Sequence, residues 1–194
     1  MILIPILVIA GFFLSISNSL GGTQHSATDS TVRAARAKAA ESTRTEVEHL
    51  VSAISPVLGQ PSLRAFVDGC EDARPETFNN DIKCEWSNYL FYPAASEPGG
   101  FRASDLAPLL AASGGWLSLP GYCFAVAGQT ATCLGRNGEN LYVTQNEASS
   151  DTNRRMPMAR PITQVEAEGY TELAHTVASV PGVLVLYSSR YFYG

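Results

Sequence analysis

Hydrophobic positions change their rhythm several times along this chain, and each rhythm implies a different element. From Ile2 to Leu14 the sequence is apolar and free of charged side chains, and no run of that length returns before residue 194. Such a segment is expected to enter a membrane or to be removed while crossing one. Residues 21–30 are polar and glycine-bearing, and read as a flexible tether. Helical spacing then takes over. Residues 31–58 are predicted to form one long amphipathic helix, because Val47, Leu50, Val51, Ile54 and Leu58 recur at intervals of three and four. The first half of that helix, rich in alanine, arginine and lysine, is built from strong helix formers with few large apolar groups. Pro56 and Gly59-Gln60-Pro61 end it. This pattern is expected of a stalk helix that docks on the domain behind it.

The remaining residues, 62–194, carry mostly strand signals. Ser62 to Val67 reads as a turn or strand leading to Cys70, and Glu71 to Asp81 as a polar loop. The segment Ile82 to Tyr92 is rich in aromatic residues and bounded by Pro93, which marks a strand. Ser104-Asp105 can cap a short helix carrying Leu106, Leu109 and Leu110. Trp116 to Leu119 opens a strand, and Tyr122 to Val126 with Thr130 to Arg136 suggests a hairpin around Gly128. Asn137-Gly138 is a strong two-residue hairpin signal, with Glu139 to Gln145 returning. That turn places Leu134 opposite Leu141, Thr132 opposite Val143 and Cys133 opposite Tyr142. A polar loop follows from Asn146 to Arg160. Thr163-Gln-Val-Glu166 has the form of a capping box that opens a helix burying Tyr170, Leu173, Ala174 and Val177. Val183 to Tyr193 closes the chain as a strand whose first half is apolar on both faces, and it is expected at the centre of the sheet. The fold class is therefore α+β: an antiparallel twisted sheet with helices on one face, behind an N-terminal hydrophobic helix and a long amphipathic one.

Four cysteines sharpen the picture of compartment. Cys70 and Cys84 form one close pair in sequence, Cys123 and Cys133 another. On a chain with an export-type segment they read as two disulfides in an oxidising compartment, and neighbour pairing is favoured among the three pairings four cysteines allow. The spacings lack the tight knuckles of four-cysteine zinc sites, and no redox Cys-x-x-Cys is present. Residues 1–20 are thus expected to be a signal anchor, with a cleaved signal peptide as the alternative. The C-terminal domain lies outside the cytoplasm in either case, membrane-held in the first and secreted in the second. Arg33, Arg36 and Lys38 lie beyond the apolar run, which alone argues for the opposite orientation; the cysteines outweigh them.

Composition alters this little. Hydrophobic residues make up 45% of the chain and charged residues 16%, which suits a folded domain more than a disordered one. The formal net charge is −5, and basic residues do not cluster with aromatics, so a nucleic-acid partner is not expected.

The strand around Cys84-Glu85-Trp86, the helix Leu106-Ala-Pro-Leu-Leu-Ala-Ala, Gly115-Trp116 and the second cysteine pair carry a resemblance. Over about residues 66–136 the chain resembles exported or membrane-anchored proteins of high-GC Gram-positive, actinobacterial type. The resemblance implies placement at the cell envelope and brings no activity and no functional residue with it.

Candidate chemistry is sparse. There is no Gly-x-Ser-x-Gly, Ser-x-x-Lys, Walker A or His-Glu-x-x-His motif. His25 lies in the tether; His49 and His175 sit at helical positions without a second histidine at ligand spacing. Glu46, Glu48, Glu166, Glu168 and Glu172 read as solvated helix faces. No catalytic residue, metal or cofactor is assigned. The one candidate binding surface is aromatic: Trp86, Tyr89, Phe91 and Tyr92 on one strand, which pack in the core or, if one face stays open, form a platform for protein or glycan. The leading functional expectation is a membrane-tethered accessory or binding domain of the envelope that performs no chemistry. An envelope hydrolase with a site assembled from scattered polar residues, and a pilin-like subunit, are the alternatives.

Overall fold

The computed structural model describes residues 29–71, 82–94, 103–119, 130–137, 139–146 and 163–193. In chain order the elements are α1 (Ser30–Leu58), β1 (Leu63–Glu71), β2 (Lys83–Pro93), α2 (Ala103–Gly114), β3 (Leu117–Ser118), β4 (Thr130–Arg136), β5 (Glu139–Asn146), β6 (Thr163–Glu168), α3 (Tyr170–Ser179) and β7 (Gly182–Tyr193). The seven strands make one open antiparallel sheet in the order β3-β4-β5-β7-β2-β1-β6. The α+β class holds. Among the described residues no helix is long and apolar enough to cross a membrane; the apolar run and the tether up to residue 28 lie outside them. So do the expected loops at 72–81 and 147–160 and the Tyr122–Val126 strand.

The closing strand sits fourth of seven, between β5 and β2. Its apolar start explains the position. Val183, Val185 and Tyr187 pack into one core cluster, Leu184 and Leu186 into another on the opposite face. The first cluster holds Val47, Leu50, Val51 and Ile54 of α1 with Leu106 and Leu110 of α2; the second holds Leu173 and Val177 of α3. Each such side chain contributes roughly 1.5–3 kcal/mol when withdrawn from water. Helices therefore cover both faces, not one as the sequence suggests. A strand that is apolar on two faces cannot leave either one to solvent.

The long helix matches its expected span and lies on the sheet. Its apolar second half rests over β2 and β7 beside α2. Its alanine-rich first half also docks, with Val32 buried against Ile82 and the Cys70–Cys84 disulfide. That disulfide joins directly opposed residues of β1 and β2 and closes a 14-residue separation. Closing a loop of this size is worth about 3 kcal/mol. Cys133 is also disulfide-bonded; Cys123, its expected partner, lies outside the described residues.

The hairpin β4–β5 has the register read from Asn137-Gly138: Leu134 pairs with Leu141, Thr132 with Val143 and Cys133 with Tyr142. Asn137 adopts φ of 45°, as such a turn demands. The capping box does not cap. Thr163–Glu168 is strand β6, paired along β1, and the helix begins only at Tyr170 after Gly169. Pairing with the open edge of β1 outweighs the local helix-start signal. Gly169 makes the junction, with φ of 69° and no room for a Cβ, which would stand 2.7 Å from the Arg64 carbonyl oxygen.

Deleting residues 183–194 should abolish the cooperative thermal unfolding of the protein, since both core clusters lose their shared wall. A truncated chain that still melts cooperatively, followed by circular dichroism, would show the core to lie elsewhere.

Candidate functional site

Strand β2 carries the aromatic residues that the sequence offers as a surface, and the fold takes most of them inside. Leu90 and Tyr92 lie under α1, while Tyr89 and Phe91 lie under α3, where Tyr89 meets Tyr170 edge-on at 5.4 Å. Tyr89, Phe91 and Tyr92 are all fully buried. These three present no open face, because β2 is an inner strand with helices on both sides. Trp86 alone of the four stays partly exposed, beside Arg36 of α1.

Two ionic clusters flank α1 and hold it down. On one side Arg36 pairs with Asp68 of β1, a carboxylate with no exposure at all. Tyr191 of β7 donates to the same carboxylate at 2.7 Å. Arg36 also lies 5.6 Å from the centre of the Trp86 ring, which in turn contacts Phe66 and Tyr191. On the other side Arg136 of β4 bridges Glu46 of α1 and Glu139 of β5, at 2.7 Å to each. It donates to the Gly114 carbonyl at the end of α2 and stacks on Trp116. Tyr187 donates to the second oxygen of Glu139 at 2.9 Å. Glu46 is thus a half-buried ion-pair partner and not part of a solvated helix face. Burial works against the charge on Arg136, but its bonds to Glu139 and Glu46 outweigh that and raise its pKa.

Between α1 and the far side of the sheet a groove remains. The helices α1 and α2 cover that face over β2, β7, β5 and β4, and leave the part of β1 around Phe66 uncovered beside α1. The groove encloses about 720 Å³, within the range of small-molecule sites. Its α1 wall is Ala40, Thr43, Arg44, Val47 and Glu48; its floor includes Phe66, Trp86 and Asn88; Glu168 and Glu172 stand at the other side. Phe66 and Asn88 are directly opposed in the β1–β2 ladder. Three buried polar atoms among its lining residues have no hydrogen-bond partner: Thr43 Oγ1, Trp86 Nε1 and Asn88 Nδ2. Each such group costs about 1–3 kcal/mol if it stays unpaired. Arg64 is paired with Glu48 at 2.5 Å and Arg44 with Glu41 at 3.1 Å, so the cations at the rim are already matched.

Other candidates fall elsewhere. His49 lies 4.0 Å from Glu46, and His175 is exposed on α3; His25 is outside the described residues. Glu168 belongs to β6 and not to a helix. Among the described residues no group of three or more His, Cys, Asp and Glu stands together in a way that could hold a metal ion. Phe66, Asn88, Thr43, Arg36, Asp68 and Arg136 escape a reading of the sequence. The available signal is Asp68, a charged residue flanked by Phe66-Val67 and Gly69-Cys70 and at the register of Trp86.

Removal of the two ends of the Arg36–Asp68 pair should be unequal. Arg36→Met leaves a fully buried carboxylate uncompensated and should cost about 3–5 kcal/mol. Asp68→Asn keeps an acceptor for Tyr191, and Arg36, 30% exposed, can turn to water, so it should cost less. Equal losses in urea denaturation would contradict this picture. Tyrosine ionisation gives a second test. Burial raises the pKa of Tyr92 to about 12, and pushes Tyr89, Tyr187 and Tyr191 further up, the last two helped by their bonds to Glu139 and Asp68. The fold thus binds these protons more tightly than the unfolded chain, whose tyrosines titrate near 10. Stability should be fully present below about pH 10 and fall as pH rises beyond it. Phenolate absorbance from these residues should appear only together with unfolding.

No family model, no curated protein and no solved structure matches this chain.

Proposed function

We propose that this protein is an extracytoplasmic binding domain of the cell envelope, held at the membrane by its first twenty residues, and that the groove between α1 and β1 is its binding site. The observation that carries the reading is the groove itself, a concave surface of ligand size with an aromatic and amide floor beside buried polar atoms that lack partners. The disulfide Cys70–Cys84 supports the location, since such bonds persist in oxidising compartments. The resemblance to actinobacterial envelope proteins points the same way.

The carboxylates of the two ionic clusters are committed to structure, while Glu48, Glu168 and Glu172 line the groove. Hydrolysis of a glycosidic bond needs two carboxyl groups facing each other across a cleft, one of them free to give up a proton. Glu46 and Glu139 share a guanidinium, and Asp68 is tied to Arg36 and Tyr191. These groups hold elements together.

The full chain in mild detergent should be retained by purified cell-wall sacculi and released by soluble wall fragments. Phe66→Ala, which removes a ring from the groove floor, should weaken retention. Leu117→Ser, at an exposed position on β3, should not. Retention unchanged by Phe66→Ala would place binding outside the groove. A periplasmic-type reporter fused after residue 194 should be active only if the domain is exported.

A further inference from the structure

We infer that the groove binds a short segment of uncharged glycan; this rests on the groove being the binding site. The argument begins with what the unpaired atoms can do. Trp86 Nε1 can only donate, and Asn88 Nδ2 carries two donor hydrogens; Thr43 Oγ1 can donate or accept. A fitting ligand must bring several acceptor oxygens, at least one of which can also donate. Sugar hydroxyl and acetamido groups have that character.

Charge narrows the class. Arg44 and Arg64 are paired with Glu41 and Glu48, while Glu48, Glu168 and Glu172 also line the groove. A polyphosphate or polycarboxylate would meet three carboxylates and two guanidinium groups that already have partners. An uncharged ligand avoids this repulsion.

Backbone pairing argues against an extended peptide. Strand β1 is paired with β2 and β6, and β2 with β1 and β7, along the stretch that makes the floor. At Phe66, Trp86 and Asn88 the ladder is occupied on both sides, and a peptide strand has no edge to join there. Side chains alone must recognise the ligand. They are an indole and a phenyl ring 5.6 Å apart, an amide and a hydroxyl. Aromatic rings offer the apolar faces that sugar C–H groups pack on, and the amide takes the hydroxyls. The donor atoms are buried in the unliganded groove. A ligand reaches them only if lining side chains shift, and among these Arg44 and Arg64 form only exposed pairs.

Tryptophan emission gives the test on the intact chain. Trp116 is buried under Arg136, so a change on titration reports Trp86. Oligomers of β-1,4-linked N-acetylglucosamine and of α-1,4-linked glucose serve as neutral probes. Polyglutamate and an alanine-rich peptide serve as anionic and peptide comparators. At least one neutral oligomer should shift the emission saturably and protect Trp86 from acrylamide quenching. Asn88→Leu and Phe66→Ala should each weaken that binding by about tenfold while the protein still melts cooperatively. Saturable binding of polyglutamate or the peptide, with none of the neutral oligomers, would overturn the ligand class. If neither neutral oligomer binds at millimolar concentration while sacculi still retain the chain through Phe66, the binding site stands and the glycan assignment fails. If sacculi do not retain the chain either, both readings fail together.

Discussion

Everything in this fold follows from one strand that must be dry on both sides. Val183 to Tyr187 alternate between two core clusters without an exposed position. Such a strand can only sit inside the sheet, and both of its faces need a lid. The long helix with α2 supplies one lid and α3 the other. The sheet order, with the last strand of the chain inserted between β5 and β2, is the topology that meets this demand. It also makes the fold dependent on contacts distant in sequence, because the sheet cannot close its centre until β7 has been made.

The two lids differ in how they are fastened. On its apolar half α1 is held by Leu50, Val51 and Ile54, whose contacts are non-directional. Register comes from charge. Arg136 binds Glu46 on one flank and Arg36 binds Asp68 on the other. Directional pairs of this kind have one good geometry, whereas apolar contact has many. With its position set by both flanks, α1 covers β2 and β7 and meets β1 at Asp68 and Cys70, leaving Phe66 uncovered. The groove is thus a consequence of where the helix is pinned. Trp86 joins the two regions, since it lies under Arg36 and also helps to line the groove. Any ligand that moves Trp86 acts on the fastening of the helix as well.

Much of the architecture was legible in residue order because it rests on local pattern. The spacing of Val47, Leu50, Val51 and Ile54 announces α1, and the Asn137-Gly138 turn sets the register of its hairpin, since a two-residue turn leaves no freedom for slippage. The doubly apolar start of the final strand announces its central place. The capping box at Thr163 misleads for an equally physical reason. A cap favours a helix start by about 1 kcal/mol, and pairing five residues along an otherwise open strand edge competes with it.

The site was not legible in this way. Alternation along β2 shows that Trp86, Asn88, Leu90 and Tyr92 share a face, but not that a helix would cover Tyr92 and leave Trp86 partly open. That division depends on where α1 ends its contact, and so on ion pairs between residues 32 and 90 positions apart in the chain. Sequence by itself determined most of the helix and strand segments, the hairpin register and the burial of the last strand, and favoured the pairing of Cys70 with Cys84, all from periodicity, turn chemistry and near neighbours. Tertiary structure alone decided that helices take both faces, that Thr163–Glu168 becomes an edge strand, and that a groove lies beside α1. Those outcomes come from surfaces competing for cover, and no local stretch of residues contains both competitors.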